Sequence, residues 1–256
     1  MIEKAPGPLS IRIVNDAKLR DEVFRLRYRA YTNEGEIPDN RSGMFADEYD
    51  DAPNQVSWAL FMGNDLVGTV RSMFFSPAAE VLLPEHKVYG DIIPRVLPYN
   101  ARVVSGNRFA IDPAYVSMGK RLTFQLLKHH IMVALVNGDW AIAAVKKHHQ
   151  AFYERVMRLT PASEPRYYDE MNSSFTLMVA NVLDKYASVC ARHPSLRPNT
   201  SDLAFLKQIP DSFARVAARP IARETTAGAT VGGATAGEKD AENTSEASTS
   251  GAGQTA

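Results

Sequence analysis

Two arginines stand where charge is out of place. Arg71 lies inside an apolar run, Leu66 to Phe75, that reads as a strand, and Arg108 precedes Phe109 in a second strand-like run, Ala101 to Ile111. A guanidinium there must find a partner or face a cleft, because an unpaired charge among apolar neighbours is costly. An acidic knot of Asp47, Glu48, Asp50 and Asp51 sits in a polar stretch that is long for a structureless connection, and such loops often carry function. A third stretch, Asp139 to Met157 (DWAIAAVKKHHQAFYERVM), reads as an uncharged strand from Trp140 to Val145, a polar turn from Lys146 to His149, and a helix from Gln150 onward. A strand feeding a helix through a polar turn brings backbone N–H groups and polar side chains to the strand's C-terminal end, where open α/β sheets bind ligands. The same pattern also serves as a plain β–α connection. Between Met118 and Gln150, Lys120, Arg121, Lys128, Lys146 and Lys147 stand against Asp139 alone. That imbalance suits a phosphate-bearing group or an acidic partner protein, or leaves lysines exposed at helix ends.

The elements that must hold these groups follow from periodicity. Ser10 to Val14 alternates like a strand; Asp16 is an N-cap, and Leu19, Val23, Leu26 and Ala30 recur at helical spacing through Tyr31. Gly35 and Pro38 end that helix. Val56 to Met62 and Leu66 to Phe75 read as a hairpin across Gly63-Asn64-Asp65. A short helix falls near Val88 to Val96, and Asp112-Pro113 stops the Ala101 strand. Lys120 to Val136 is a helix apolar on most sides and therefore buried, ended by Asn137-Gly138. Ser173 to Ala180 is a last strong strand with Arg166 to Glu170 as its partner, and Leu183 to Arg192 closes as a helix. The expectation is an α/β (α+β) domain, a mixed sheet with helices on both faces.

A chain of 256 residues holds one sizeable core or two small ones. With 29 basic and 29 acidic residues, net charge implies neither nucleic acid nor membrane. The single cysteine, Cys190, excludes an internal disulfide and cysteine-ligand zinc. His129-His130 and His148-His149 are adjacent pairs that point about a quarter-turn apart on a helix, so no metal is expected. No Walker, G-x-S-x-G or H-E-x-x-H motif occurs. The N-terminus lacks an apolar signal region and no run is long enough to span a bilayer, so a cytoplasmic protein is expected. Four regions are expected: an arm over 1–9, the domain over 10–192, an extension over 193–218, and a disordered Ala/Gly/Thr/Ser-rich tail over 219–256.

The element order is similar to the GNAT acyltransferase fold: a mostly antiparallel sheet with one splayed parallel pair. More narrowly, FRLRYRAYTNEGEI, SGMFADEYDDAPN, VGTVR, NRFAIDP and AVKKHHQAFYERV, in that order over roughly Ser10 to Arg192, resemble the N-acyl amino acid synthases, relatives of the acyl-homoserine-lactone synthases. Arg27 and Tyr31 match the arginine and aromatic of the first-helix motif, Asp47 and Asp50 the paired acids, Arg71 the arginine closing the hairpin strand, and Arg108-Phe109 the R-F pair. The chain departs from the lactone synthases at Ile37, where they carry tryptophan, and at Ser105, where they carry glutamate; both point away from lactone formation. The acyl-CoA loop motif would fall on Val116 to Arg121, where Gly119 alone survives, which leaves room for an acyl carrier protein as donor.

The resemblance implies an N-acyltransferase that moves a fatty acyl group from an acyl-phosphopantetheine thioester, a co-substrate rather than a bound cofactor, to a small amine or amino acid. Strands Ala101–Ile111 and Trp140–Val145 would splay, freeing backbone of Arg108 to Ile111 for the pantetheine arm. The acyl and pantetheine chain would meet Phe45, Met73, Phe109, Ala110, Ile111 and Val145. Arg27, Tyr31, Asp47, Asp50, Arg71 and Arg108 would form the acceptor site, the guanidinium forks gripping a carboxylate, or else a structural ion-pair network. Glu34, His149 and Tyr153 are the proton-transfer candidates, although His149 could cap a helix and Tyr153 pack in the core. Lys120, Arg121, Lys146 and Lys147 would meet the carrier protein. The rival readings are a short-chain acetyltransferase using acetyl-CoA and a degenerate fold that binds an acyl chain or carrier protein without catalysis.

Overall fold

Strand β1 (Leu9–Ile13) gives way to helix α1 (Ala17–Asn33) at Asp16, whose carboxylate accepts from the Leu19 N–H at 2.9 Å, the cap expected from sequence. The computed structural model of the chain describes residues 7–76 and 81–209. Gly35, at φ +68, follows the end of α1. The acidic knot is one short helical turn, Glu48–Asp51, capped by Asp47. Strands β2 (Gln55–Met62) and β3 (Asp65–Phe75) form the hairpin, with Gly63 at φ +61 making the turn that an L side chain would strain. The expected helix near 88–96 is two single turns, α2 (His86–Tyr89) and α3 (Ile93–Val96), parted by Gly90.

Strand β4 (Val103–Ile111) precedes helix α4 (Gly119–Asn137) and strand β5 (Trp140–Val145). Helix α5 (Lys147–Phe152) begins about one turn before the Gln150 start expected from periodicity and runs into a wide π turn, Tyr153–Met157, ended by Arg158 at φ +60. Polar residues Lys147 to His149 are simply its exposed face. Strands β6 (Thr160–Pro161), β7 (Arg166–Tyr168) and β8 (Ser173–Asn181) are followed by helices α6 (Val182–Arg192) and α7 (Thr200–Ala204).

The sheet runs β1-β2-β3-β4-β5-β8-β6, with β7 also on β8. Every pair is antiparallel except β4 with β5. Alternation along β2 sorts its two faces. Trp58, Leu60 and Met62 pack with Leu122, Leu126 and Met132 of α4, while Ala59 and Phe61 pack with Leu19 and Val23 of α1. A third cluster joins Met73, Val103, Ile142 and Leu177 to Leu83, Tyr89 and Ile93 around α2 and α3.

The described part of the C-terminal extension packs back on this core: Lys128 of α4 pairs with Asp202 at 2.8 Å, and Phe205 meets Trp58 edge-on at 6.3 Å. Residues 1–6 of the N-terminal arm, the extension beyond Ile209 and the expected disordered tail lie outside the described residues. Among the described residues no helix is long and apolar enough to cross a membrane.

Candidate active site

The parallel pair is short. β4 and β5 are in register only from Val103↔Trp140 to Ser105↔Ile142. Beyond that point β4 stays bonded to β3, through Arg71↔Asn107, Thr69↔Ala110 and Gly68↔Ile111, and β5 stays bonded to β8 as far as Val145↔Thr176. Each strand follows its antiparallel neighbour, and the two separate. The cause sits in β4: Val70 alone opposes Arg108 and Phe109, a bulge, and Arg108 takes φ +51. A bulge bends its strand. A left-handed arginine costs about 1–3 kcal/mol, so its surroundings must hold it there.

A cavity of about 790 Å³ fills the opening. Gly106 to Ile111 of β4 line one side and Ala144 and Val145 of β5 the other. Phe124 and Leu127 of α4, with Phe152 and Val156, make an apolar wall; Tyr31 of α1, Glu34 just past its end, Lys120 and His149 are also in the lining.

Behind this cavity lies the charge network. Arg71 donates from Nη1 and Nη2 to the two Asp47 oxygens at 2.6 and 2.9 Å, and Arg108 Nε donates to Asp47 Oδ2 at 2.6 Å. Asp50 accepts from Arg27 Nη1 at 2.7 and 2.9 Å and lies 2.9 Å from Arg71 Nη1. Arg27 and Arg71 side chains are wholly buried, Asp47 and Asp50 nearly so. Burial alone would raise the Asp47 carboxyl, but the Arg71 hydrogen bonds and the Arg108 charge outweigh it and hold it well below the usual carboxylate range. Arg108 also reaches Glu170 from Nη2 at 3.1 Å, stacks on Phe45 at 4.8 Å, and is held charged because Asp47 outweighs its desolvation.

Of the residues singled out from sequence, Tyr31, Glu34, Arg71, Arg108, Phe109, Ala110, Ile111, Lys120, Val145, Lys146, His149 and Tyr153 line the cavity. Arg27, Asp47, Asp50, Phe45, Met73, Arg121 and Lys147 do not. Arg27, Asp47 and Asp50 are the braces of the network, Phe45 packs edge-on against Tyr31 at 5.3 Å, and Met73 belongs to the cluster under α2. Lys146 is not a surface cation: its ammonium pairs with the buried Glu36 carboxylate, which also shares a hydrogen bond with Glu34. Lys120, Arg121 and Lys147 are exposed. His149 is exposed, its ring 4.0 Å from that of His148, and burial of part of the ring lowers its basicity. Tyr153 packs with Val145, Leu159 and Met178, and burial pushes its phenol up to about 12. The Phe109 carbonyl, one of the strand groups freed by the splay, accepts from Tyr31 Oη at 3.2 Å.

Sequence reasoning did not find Glu85, Glu36, Tyr168 or Glu170, all of which line the cavity. Glu85 is buried and accepts from Ser105 Oγ at 2.5 Å. Its only signal in the sequence was an indirect one, the serine at position 105. A carboxyl missing from the strand is delivered beside it by another segment.

Residues 22–181 match the family model described as N-acyl amino acid synthase FeeM. No curated protein matches the chain. The structure of FeeM, an N-acyl amino acid synthase from uncultured soil microbes, superimposes with a TM-score of 0.60 at 18% identity, covering 71% of this chain and 94% of that one. The acyl-homoserine-lactone synthase LasI gives 0.52 at 14%, covering 69% and 91%, and the CoA-dependent lactone synthase BjaI gives 0.51 at 13%, covering 78% and 100%. These likenesses show a GNAT-like fold. The family match spans well over half of the sequence, and the chain is an acyltransferase that belongs to the FeeM family of N-acyl amino acid synthases.

Proposed function

We propose that the protein transfers a fatty acyl group from the thioester of an acyl carrier protein to the amine of an amino acid or similar acceptor, with acyl-CoA as the other possible donor. The observation that carries this reading is the coincidence of the β4–β5 opening with a cavity that is polar at Lys120, Lys146 and Arg108 and apolar at Phe109, Phe124, Leu127, Phe152 and Val156. An extended, amide-rich arm entering between two bare strand edges finds backbone donors and acceptors on both sides, as an added strand would. The N-terminus of α4, at Gly119 and Lys120, borders the same cavity and suits the arm's phosphate. The exposed cations Lys120, Arg121 and Lys147 suit an acidic carrier.

Acyl transfer needs the thioester fixed, the carbonyl polarised and the thiol protonated as it leaves. The bulged backbone at Arg108 to Ile111 supplies N–H groups for the carbonyl oxygen. Tyr153, with a phenol that holds its proton throughout the neutral range, supplies the acid for the departing sulfur. Arg108 suits the acceptor's carboxylate: its Nη2 is engaged only by Glu170, a half-exposed side chain that a ligand carboxylate can replace.

The test is direct. Purified protein is mixed with acyl carrier protein or CoA thioesters of graded chain length and with a panel of amino acids; thiol release and the mass of the amide are read together. Long-chain amides formed faster from carrier protein are the expected result. Acetyl transfer alone favours a short-chain enzyme, and tight binding of every donor without thiol release favours a non-catalytic acyl-binding protein.

A further inference from the structure

Among the described residues, a handful of buried side-chain polar atoms have no hydrogen-bond partner, and two of them belong to residues lining the cavity: Glu85 Oε2 and Tyr168 Oη. Buried polar atoms are almost always paired, and an unpaired carboxylate oxygen is among the costlier exceptions. Here one is an acceptor and the other both donor and acceptor, and the charge of Glu85 is felt at Tyr168. Such a pair matches one ligand group: a nitrogen that carries several N–H bonds.

The place of Glu85 suits that ligand. Its Oε1 accepts from Ser105 Oγ at 2.5 Å, and Ser105 belongs to the last register pair before β4 and β5 part. Glu85 therefore stands at the vertex of the opening, where the two strands part. A hydrogen-bond chain stands behind it. Arg71 Nε donates to Asn107 Oδ1 at 2.7 Å, Asn107 Nδ2 donates to Ser105 Oγ at 3.1 Å, and Ser105 donates to Glu85. Each link polarises the next.

The other carboxylates at the cavity are engaged or exposed. Glu36 is paired with Lys146, Glu170 with Lys87 and Arg108, and Glu34 and Asp169 are exposed. We infer that Glu85 is the general base that takes a proton from the acceptor's ammonium, with Tyr168 Oη as the second hydrogen-bond partner of the same nitrogen. This rests on the acyltransfer reading above and names the residue that starts the reaction.

The step balances as follows. An ammonium N–H gives its proton to Glu85 Oε2. The freed lone pair forms the C–N bond at the thioester carbon, and the carbonyl π pair moves to oxygen. As that pair returns, the C–S bond breaks with its electrons on sulfur. Tyr153 gives its proton to the sulfur and regains one from the second nitrogen N–H, leaving an amide and a thiol, and Glu85 releases its proton to solvent. Burial raises the Glu85 carboxyl above the ordinary glutamate value, while the Ser105 hydrogen bond and the charges of Arg71 and Arg108 pull it back. The groups around it are Arg71 from β3, Ser105, Asn107 and Arg108 from β4, Tyr168 from β7, and His86, Lys87 and Tyr89 from α2; Lys87 is turned toward Glu48 and Glu170. A carboxylate raised above its ordinary value is the stronger base toward an ammonium.

The experiment is the pH profile of kcat/KM for the acceptor in wild type, Glu85→Gln, Ser105→Ala and Tyr168→Phe. Glu85→Gln keeps the Ser105 contact and is expected to lose about 10²- to 10⁴-fold in kcat together with the acidic limb of the profile. Ser105→Ala is expected to move that limb to higher pH, because the carboxylate loses a donor. Tyr168→Phe is expected to raise KM for the acceptor and leave KM for the donor alone. A Glu85→Gln protein within threefold of wild type, with its acidic limb intact, overturns the inference while acyl transfer itself stands. If Glu85→Gln fails to fold, an unmoved limb in Ser105→Ala overturns it. A wild type that releases no thiol with any donor and amine overturns the acyltransfer reading and this inference with it.

Discussion

Arg71 and Asp47 meet two-on-two, Nη1 to Oδ1 at 2.6 Å and Nη2 to Oδ2 at 2.9 Å, with the guanidinium wholly buried. This contact joins β3 to the acidic turn and leaves Arg71 Nε for Asn107. Arg71 is thus a brace for the site more than a clamp on the substrate. Removing one partner of a buried pair leaves the other uncompensated, at about 3–5 kcal/mol. Asp47→Ala is expected to destabilise by that order in urea unfolding, more than Asp47→Asn, which keeps the shape. The folded-state pKa of Asp47 is depressed, so its contribution is complete above the ordinary aspartate range, about pH 4, and is lost as pH falls toward the folded value. Wild type should lose stability through this acid window, and the slope should shrink in Asp47→Asn.

Arg108 combines a strained backbone with an ion pair, and substitution separates the two. Both Arg108→Ala and Arg108→Gly lose the Asp47 and Glu170 contacts, but only glycine accepts φ +51 without cost. The glycine variant is expected to be more stable than the alanine variant by about 1 kcal/mol, measured as a difference in unfolding free energy. Both should bind a carboxylate-bearing acceptor poorly.

Gly106 is the first residue past the last β4–β5 register pair. A Cβ there would lie 2.9 Å from His130 Nε2, and that ring is fixed by Ser72 Oγ at 2.9 Å from Nδ1. Burial holds His130 neutral by pulling it down to about 4. Gly106→Ala is expected to cost about 1–3 kcal/mol through overpacking. Unchanged thermal unfolding would show that His130 has room to move.

The apolar wall sets the acyl chain. Leu127 is buried among Ile131, Val189 and Leu196 and lines the cavity. Leu127→Trp is expected to cut kcat/KM for the longest accepted chain at least tenfold while sparing short ones, since each excluded methylene is worth about 1–3 kcal/mol. Competition between long and short donors in one vessel, read by mass spectrometry of the amides, gives the ratio.

Tyr153 has no hydrogen bond from its hydroxyl among the described residues and a phenol pushed up to about 12 by burial. Tyr153→Phe is expected to lower kcat at least tenfold with no loss of stability. No alkaline limb from this group should appear below pH 10. A full-rate phenylalanine variant would assign the tyrosine to packing.

Part of this arrangement is legible in the sequence. The helix cap at Asp16, the hairpin at Gly63 and the demand that Arg71 find a partner are local rules, and each holds. The separation of β4 and β5 came from resemblance, not from periodicity; apolar runs do not say which neighbour a strand keeps. Glu85 was out of reach for a related reason. It lies twenty positions before Ser105, in a segment of two single-turn helices whose pattern gives no face, and contact between them depends on how α2 sits under the sheet. Lys146 was misplaced because a lysine in a polar turn looks solvated until a buried Glu36 from the end of α1 meets it.

The separation of β4 from β5 also bears on how this protein avoids sticking to itself. A bare strand edge invites foreign chains when it lies at the rim of a sheet. Here two such edges face each other in the middle, held apart by the ladders on their outer sides and roofed by α4 and α5. A flexible arm one residue wide can slip in; a second sheet cannot. The geometry acts as a size filter on partners before any side chain is consulted.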